Sequence, residues 1–412
     1  MISYEEALQR LLTGITVLPG RTVSLASACG LVTSSAISAR LAVPGFANAA
    51  MDGYALRAEA ARGATDDAPV RLQVSGLVTA GAPALPAQGQ EVWEILTGAP
   101  VPAGLDSVVP LERITRLEAP DGAGPWILLT EPLHPGQNIR QAGEDFVRSQ
   151  TVVAAGTRLG PHHLMGLAAC GVDEVPVVRA PRVAVLTTGN ELTEQGVDLA
   201  PGQIRDANGP YLRSLLPRLG AELTTLATAP APDNAGSLRD QLRALVSDAD
   251  VVLTSGGVSA GRLDLLPGVV RDLGGDVLFH KVAIRPGKPV LHARLPGGTL
   301  LFGLPGNPLA VAVTMRFFVM PALRALQGMG AEAALPAVTT APARGRGTLR
   351  FFAKAFVEVG PTGQRSVCIL PGQESFRIAP LLQANCWAIV PEGVAEIPAG
   401  GRLWILPLYP DL

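Results

Sequence analysis

The chain has 412 residues, 48% of them hydrophobic and 4% aromatic, and carries a formal charge of −2. The length supports roughly two to four domains with sizeable cores, and the near-balanced charge argues against a general nucleic-acid binder. The start, Met1–Glu6, has neither the basic nor the apolar segment of a signal peptide, and no uninterrupted apolar run reaches membrane-spanning length.

Four cysteines, Cys29, Cys170, Cys368 and Cys386, are scattered without metal-ligand spacing and fit a reduced, cytoplasmic protein. Ser3 through Leu12 reads as a short helix, with Ser3 and Glu6 at capping-box spacing. Short β-prone pieces follow in residues 20–42. In Pro44–Ala55 a loop enters a strand, and small residues crowd around one charge, Asp52. An acid in that setting can approach a ligand or a metal, or cap a turn.

Strands are predicted at Val70–Val74, Glu91–Leu96, Ser107–Pro110 and Trp126–Leu129, which makes a small β-rich domain. Its Leu96–Gly104 loop carries Thr97, either a donor to a ligand oxygen or part of a structural turn. Asn138–Asp145 sets Arg140 beside Glu144 and Asp145 on a glycine-bearing loop. Pro161–Ala169 reads as a short helix. Its neighbours His162 and His163 face different ways and are read as surface or capping residues.

An α/β pattern begins near Pro181. Strand Val183–Thr187 runs into Thr188-Gly189-Asn190-Glu191. Gln203–Pro210 precedes a helix carrying Leu212, Leu215, Leu216 and Leu219, and strand Glu222–Thr228 follows. Val251–Gly261 is a buried strand ending in Gly256 and Gly257, with Ser255 and Ser259 on the turn, where free N–H groups can cradle an anion. A strand is predicted over Val277–Ile284. Lys281, Arg285 and Lys288 bring positive charge beside Gly287. Strands Val290–Ala293 and Leu300–Phe302 lead to Gly303–Pro308, and the apolar helix after Pro308 should be buried. Polar loops at several strand ends point to one ligand edge. Neither a GxxxxGK[ST] nor a GxGxxG segment is present. Ala331–Ala343 reads as a linker. Thr348–Gly360, Arg365–Ile369, Trp387–Val390 and Arg402–Pro407 read as strands of a small barrel or sandwich of about 80 residues. Its polar loop Gly372–Phe376 could be purely structural.

In order and spacing these motifs resemble the molybdopterin molybdenumtransferase family, also known as MoeA and related to the E domain of gephyrin. The anchors are Ala50–Ala55, Thr97–Pro100, Gly143–Asp145, Thr188–Leu192, Ser255–Ser259, Pro286–Pro289 and Gly303–Pro308, and the match covers essentially the whole chain. The resemblance implies a multidomain α/β subunit. A discontinuous α+β linking domain would take residues 1–45 plus 146–178, and a β-rich domain residues 46–145. A central three-layer, mostly parallel α/β domain, similar to molybdopterin adenylyltransferase, would take residues 179–328, and a C-terminal β-barrel residues 329–412.

The resemblance also implies insertion of molybdate into adenylylated molybdopterin with Mg2+, giving molybdenum cofactor and AMP. The site would lie between the α/β domain of one subunit and the β-rich domain of the other, in a homodimer. Transient partners would be the molybdopterin adenylyltransferase and molybdoenzyme maturation factors. Lys281, Arg285 and Lys288 would neutralise substrate charge. Asp206 and Asp264 are candidate Mg2+ ligands with water between. Ser255, Gly256, Gly257 and Ser259 would hold phosphate. Thr188, Gly189, Asn190, Pro305, Gly306 and Asn307 would line the pocket, and Asp52, Thr97 and Asp145 would complete it from the partner.

Against the usual family pattern, Ala47 and Ala49 replace an acid and a hydroxyl, Ala207 and Ala310 replace serines, Arg262 stands where an acid is common, and Leu265 where an aromatic is usual. These exchanges leave a second reading open: a paralogue that binds the cofactor or molybdate with little turnover, or an insertase with another oxyanion preference.

Overall fold

The protein is described here by a computed structural model covering residues 1–83, 86–87, 91–117, 125–193, 196–229, 235–256 and 265–409. The central sheet contains β1 (Arg182–Thr188), β2 (Glu222–Ala229), β3 (Val251–Gly256), β4 (Asp276–His280), β5 (Leu291–Arg294) and β6 (Leu300–Leu304), in the order β2-β1-β3-β6-β5-β4. Strands β2, β1, β3 and β6 run parallel. Both faces of β1 and β3 are covered, which is why they read as continuous apolar runs rather than alternating ones. Val183, Val185, Val251 and Leu253 face the helix Asn208–Arg218, through Leu212, Leu215 and Leu216. Ala184 and Val252 face the helices Ala235–Val246 and Leu265–Asp272, through Leu238, Leu242 and Val269.

The β4–β5 and β5–β6 connections are too short for a parallel crossover, so both pairs are antiparallel. The expected strand over Val277–Ile284 stops at His280. Lys281 takes a left-handed φ of 69°, uncommon for a residue with a side chain, and turns the chain away. Ile284–Arg285 then pairs with Arg350–Phe351 of the C-terminal domain.

The run Pro308–Leu326 is apolar and long enough to cross a membrane, yet 83% of its most apolar window is buried inside the molecule. Phe317 stacks on Phe352 at 3.7 Å, and Phe318 lies edge-on to Tyr4 of the N-terminal helix Tyr4–Leu12. Ser3 caps that helix by accepting from the Glu6 N–H.

Pairings of Gly20–Ser24 with Glu174–Val178, and of Ile37–Ser38 with Thr151–Val153, join the first segment to the one after residue 150. A separate six-stranded sheet carries Gly53–Leu56, Val70–Val78, Val92–Ile95, Ser107–Pro110, Thr115–Leu117 and Trp126–Leu129. The C-terminal domain is a closed β-barrel of Leu335–Thr339, Arg350–Val359, Arg365–Ile369, Cys386–Val390 and Arg402–Pro407. Leu335–Thr339 falls in the stretch read as a linker. Its inward residues are only Ala337 and Thr339, too small to give an apolar signal, and the ring closes through them.

At the amino ends of β1 and β3, Arg179 grips Asp250 with two hydrogen bonds of 2.6 and 2.7 Å. The same carboxylate accepts from the Arg182 N–H at 2.8 Å.

Candidate active site at the strand ends

Strands β2, β1, β3 and β6 all finish on one edge of the sheet. The registers put the end of β4 and the start of β5 on that edge too. Between β1 and β3 the strand order reverses direction, with β2 on the far side of β1. That is where ligands sit in open α/β sheets.

Asp206 organises the edge. Its Oδ1 accepts from the N–H groups of Asn208 (2.9 Å) and Gly209 (3.0 Å), and its Oδ2 accepts from the Thr187 hydroxyl (3.0 Å). Ala207 holds the cap position of the helix without a side chain for the task, and Asp206 takes it over. Gly209 permits the approach, since a Cβ there would lie 2.5 Å from Oδ2. Among the described residues three of the carboxylate's lone-pair directions are filled, and one on Oδ2 remains. Among the described residues no group of three or more His, Cys, Asp or Glu converges. Mg2+ binds through one or two carboxylates, waters and substrate phosphates, so this donor set fits an ion held largely by water and substrate. Gly257, Ser259 and Asp264 lie outside the described residues.

Ser255, expected among the phosphate-holding residues, bonds within the chain. It is 1% exposed, and its single hydrogen goes to the Pro305 carbonyl (3.3 Å). Its oxygen accepts from Asn208 Nδ2 (3.0 Å). A hydroxyl placed in this way braces β3 against the next strand end. Gly256 ends β3, with its Cα opposite Thr188. Thr188 is buried, Gly189 follows it, and Asn190 is exposed at the loop tip.

The loop from β4 to β5 folds on itself. Lys281 N–H donates to the Val290 carbonyl (3.0 Å), and Val282 N–H to the Lys288 carbonyl (2.9 Å). This sets Lys281 and Lys288 on neighbouring strands of one tight loop, both exposed at the ligand edge. Arg285 is separated from them, in register with Phe351 of the barrel. Gly287 (φ 101°) has Thr314 and Ile284 where a side chain would point.

The turn Pro305–Pro308 is held from two sides. Asn208 Nδ2 donates to the Gly306 carbonyl (2.8 Å). Asn307 Nδ2 donates to Ser375 Oγ of the barrel (3.1 Å), and Leu309 N–H to the Ser375 carbonyl (3.2 Å). Sequence reasoning missed Asn208 and Ser375 as site residues. Asn208 lay in the stretch that leads into a helix, and Ser375 sat in a polar loop whose contact lies 68 residues away.

Asp52 and Thr97 meet on the β-rich domain. Thr97 donates both its N–H and its hydroxyl to Asp52 Oδ1, each at 2.7 Å. These bonds, backbone first, hold the Asp52 carboxyl below the ordinary carboxylate range. Asn48–Ala49 threads between Ala99 and Ile139–Arg140, which gathers three of the sequence motifs on one side of that domain. Asp145 stands at its junction with the linking segment, its N–H on the Val43 carbonyl. Burial and then the Asp145 charge push the Cys170 thiol up.

The model for the MoeA N-terminal region (domain I and II) matches residues 2–171, and that for a probable molybdopterin binding domain matches residues 184–325. A molybdopterin molybdenumtransferase 2 from Mycobacterium tuberculosis is 38% identical over 94% of this chain and 95% of its own. The chain belongs to the molybdopterin molybdenumtransferase (MoeA) family. It is a transferase of molybdenum cofactor biosynthesis. A molybdopterin molybdenumtransferase from Synechococcus elongatus is 33% identical over 97% of this chain and 98% of its own. The crystal structure of the molybdopterin biosynthesis moeA protein from Pyrococcus horikoshii OT3 superposes with a TM-score of 0.83 at 28% identity, covering 98% and 99% of the two chains.

The structure changes the weight of this MoeA chain's departures. Ala49 is fully buried in an apolar cluster with Ala55, Ile95 and Val108. Ala310 is 3% exposed inside the core helix. Both side chains are buried within the chain itself. The cap lost at Ala207 is supplied by Asp206. Ala47 is half-buried beside Asn48.

Proposed function

We propose that this family member inserts molybdate into adenylylated molybdopterin and releases AMP, with Mg2+ present, at a site shared by two copies of the chain. The convergence of Asp206, the exposed Lys281–Lys288 pair and the Pro305–Pro308 turn on one sheet edge carries the reading. Molybdate and a phosphoanhydride together bring several negative charges. Two ammonium groups on a rigid loop can offset that charge as the AMP phosphate leaves. Asn307 and the backbone of the adjoining turn orient the pterin phosphate. Mg2+, held through Asp206 and, outside the described residues, Asp264, would add positive charge at the phosphoanhydride oxygens.

Asp52 and Thr97 favour a shared site. They bond to each other through Asp52 Oδ1; Asp52 is exposed, and among the described residues its second oxygen takes no hydrogen bond. A homodimer would bring Asp52, Thr97 and Asp145 of one copy to the strand-end edge of the other.

The test is incubation of purified protein with adenylylated molybdopterin, molybdate and Mg2+. AMP release with molybdenum retained on the pterin is expected. Tight binding without AMP would replace the transferase with the paralogue that only holds the cofactor. Mixing Asp52→Asn and Lys281→Ala proteins, each inactive alone, should restore activity, because a mixed dimer carries one intact site. No recovery after subunit exchange would place both residues in a single-chain site.

A further inference from the structure

We infer that Asn208 is a positioning residue for the strand-end site. Its side-chain amide locks the Asp206 loop, the end of β3 and the Pro305–Pro308 turn into one arrangement. The inference rests on reading that edge as the reaction site.

Asn208 Nδ2 carries two hydrogens, and both are used. One goes to Ser255 Oγ at 3.0 Å and the other to the Gly306 carbonyl at 2.8 Å. Ser255 passes its own hydrogen to the Pro305 carbonyl at 3.3 Å. Both carbonyls at the mouth of the turn are therefore fixed by a chain that starts at one amide nitrogen. Asn208 is fixed in its turn, because its backbone N–H sits on Asp206 Oδ1 at 2.9 Å. The residue type follows from the count. A hydroxyl has one hydrogen to give, and a carboxylate has none. Asn208 touches no reacting atom; it acts through Ser255 and Gly306. A shift of the turn by about 1 Å would misplace Asn307 and the adjoining backbone, an error that can cost about a hundredfold in rate.

Asn208→Asp keeps the shape and removes both hydrogens, and Asn208→Ala removes the group. Both are assayed beside Ser255→Ala and the Asn208→Ala/Ser255→Ala double variant, with adenylylated molybdopterin, molybdate and Mg2+. Amide hydrogen exchange at Gly306, Asn307 and Leu309 is measured without substrate. For both Asn208 variants kcat/KM should fall about 30- to 100-fold, with KM for the pterin nucleotide up about tenfold. The double variant should fall no further than Asn208→Ala, since the two side chains act in series. Exchange in the turn should quicken about tenfold.

A merely structural loss would lower the active fraction, and so kcat, at unchanged KM. That result overturns the inference, and so does wild-type exchange in the turn of Asn208→Asp. If the wild-type protein itself releases no AMP, the functional reading fails. The exchange data then still decide whether Asn208 holds the turn.

Discussion

Thr97 supplies one oxygen of Asp52 with two hydrogens, from its backbone and from its hydroxyl, each across 2.7 Å. The pair keeps the carboxyl ionised below the usual range although it lies open to water. Thr97→Val removes the hydroxyl and keeps the backbone donor. The Asp52 titration, followed by carboxyl NMR against pH, should move up toward the ordinary value of about 3.9 without reaching it. An unchanged titration would mean that the backbone bond alone sets the charge.

Asp250 should make stability acid-sensitive. Burial alone would raise its carboxyl; the Arg179 guanidinium, the Arg182 N–H and the nearby charges outweigh that and lower it. A depressed folded value means the contribution is complete above the unfolded value of about 3.9 and is lost as pH falls through the lower folded one. Asp250→Asn should cost about 2–3 kcal/mol near neutral pH. The gap from wild type should close below about pH 4 in thermal denaturation scans. A gap that stays constant with pH would remove the ion pair as its cause.

Lys354 is wholly buried, and its ammonium faces the Gly372 carbonyl at 2.6 Å and the Arg377 carbonyl at 3.0 Å. Desolvation holds it below the usual lysine value. Its backbone is tied to the Gln373 side chain on both sides, so one residue shapes the loop that presents Ser375. Lys354→Met should cost about 2–3 kcal/mol by urea denaturation, because two buried carbonyls lose their donor. The Leu309 amide, which bonds to Ser375, should also exchange faster. Stability within error of wild type would show that water replaces the ammonium there.

Gly53 lies against the neighbouring strand so closely that a Cβ would stand 1.9 Å from the Val109 carbonyl. Gly53→Ala must spread the pairing of Gly53–Leu56 with Ser107–Pro110, at a cost of about 3 kcal/mol. Among the described residues nothing lies within 4 Å of a Cβ added at Gly63, and Gly63→Ala should be close to neutral. Chemical denaturation of the two variants checks the contrast.

Much of the central domain was legible because β1 and β3 are covered on both faces and spell themselves as unbroken apolar runs. The barrel was legible from its longer strands, but Leu335–Thr339 buries only small residues and left no pattern. The end of β4 was misplaced because a left-handed lysine has no signature in one sequence. Chemistry-bearing residues could be named from type and spacing, whereas the direction of a hydroxyl could not. Ser255 is the clearest case: its position at a strand end suggests a ligand, while its bonds to Asn208 and Pro305 could not be read from the sequence. Likewise Ser375 reaches Asn307 only through the docking of the barrel on the core helix, a relation that no local window contains.

The clasp of Arg179 on Asp250 sits at the end of the sheet away from the polar loops. Fastening and chemistry are thereby housed at opposite poles of the same strands. Descendants of this chain can rework the loop pole for a different oxyanion while the fastening at the other pole stays untouched.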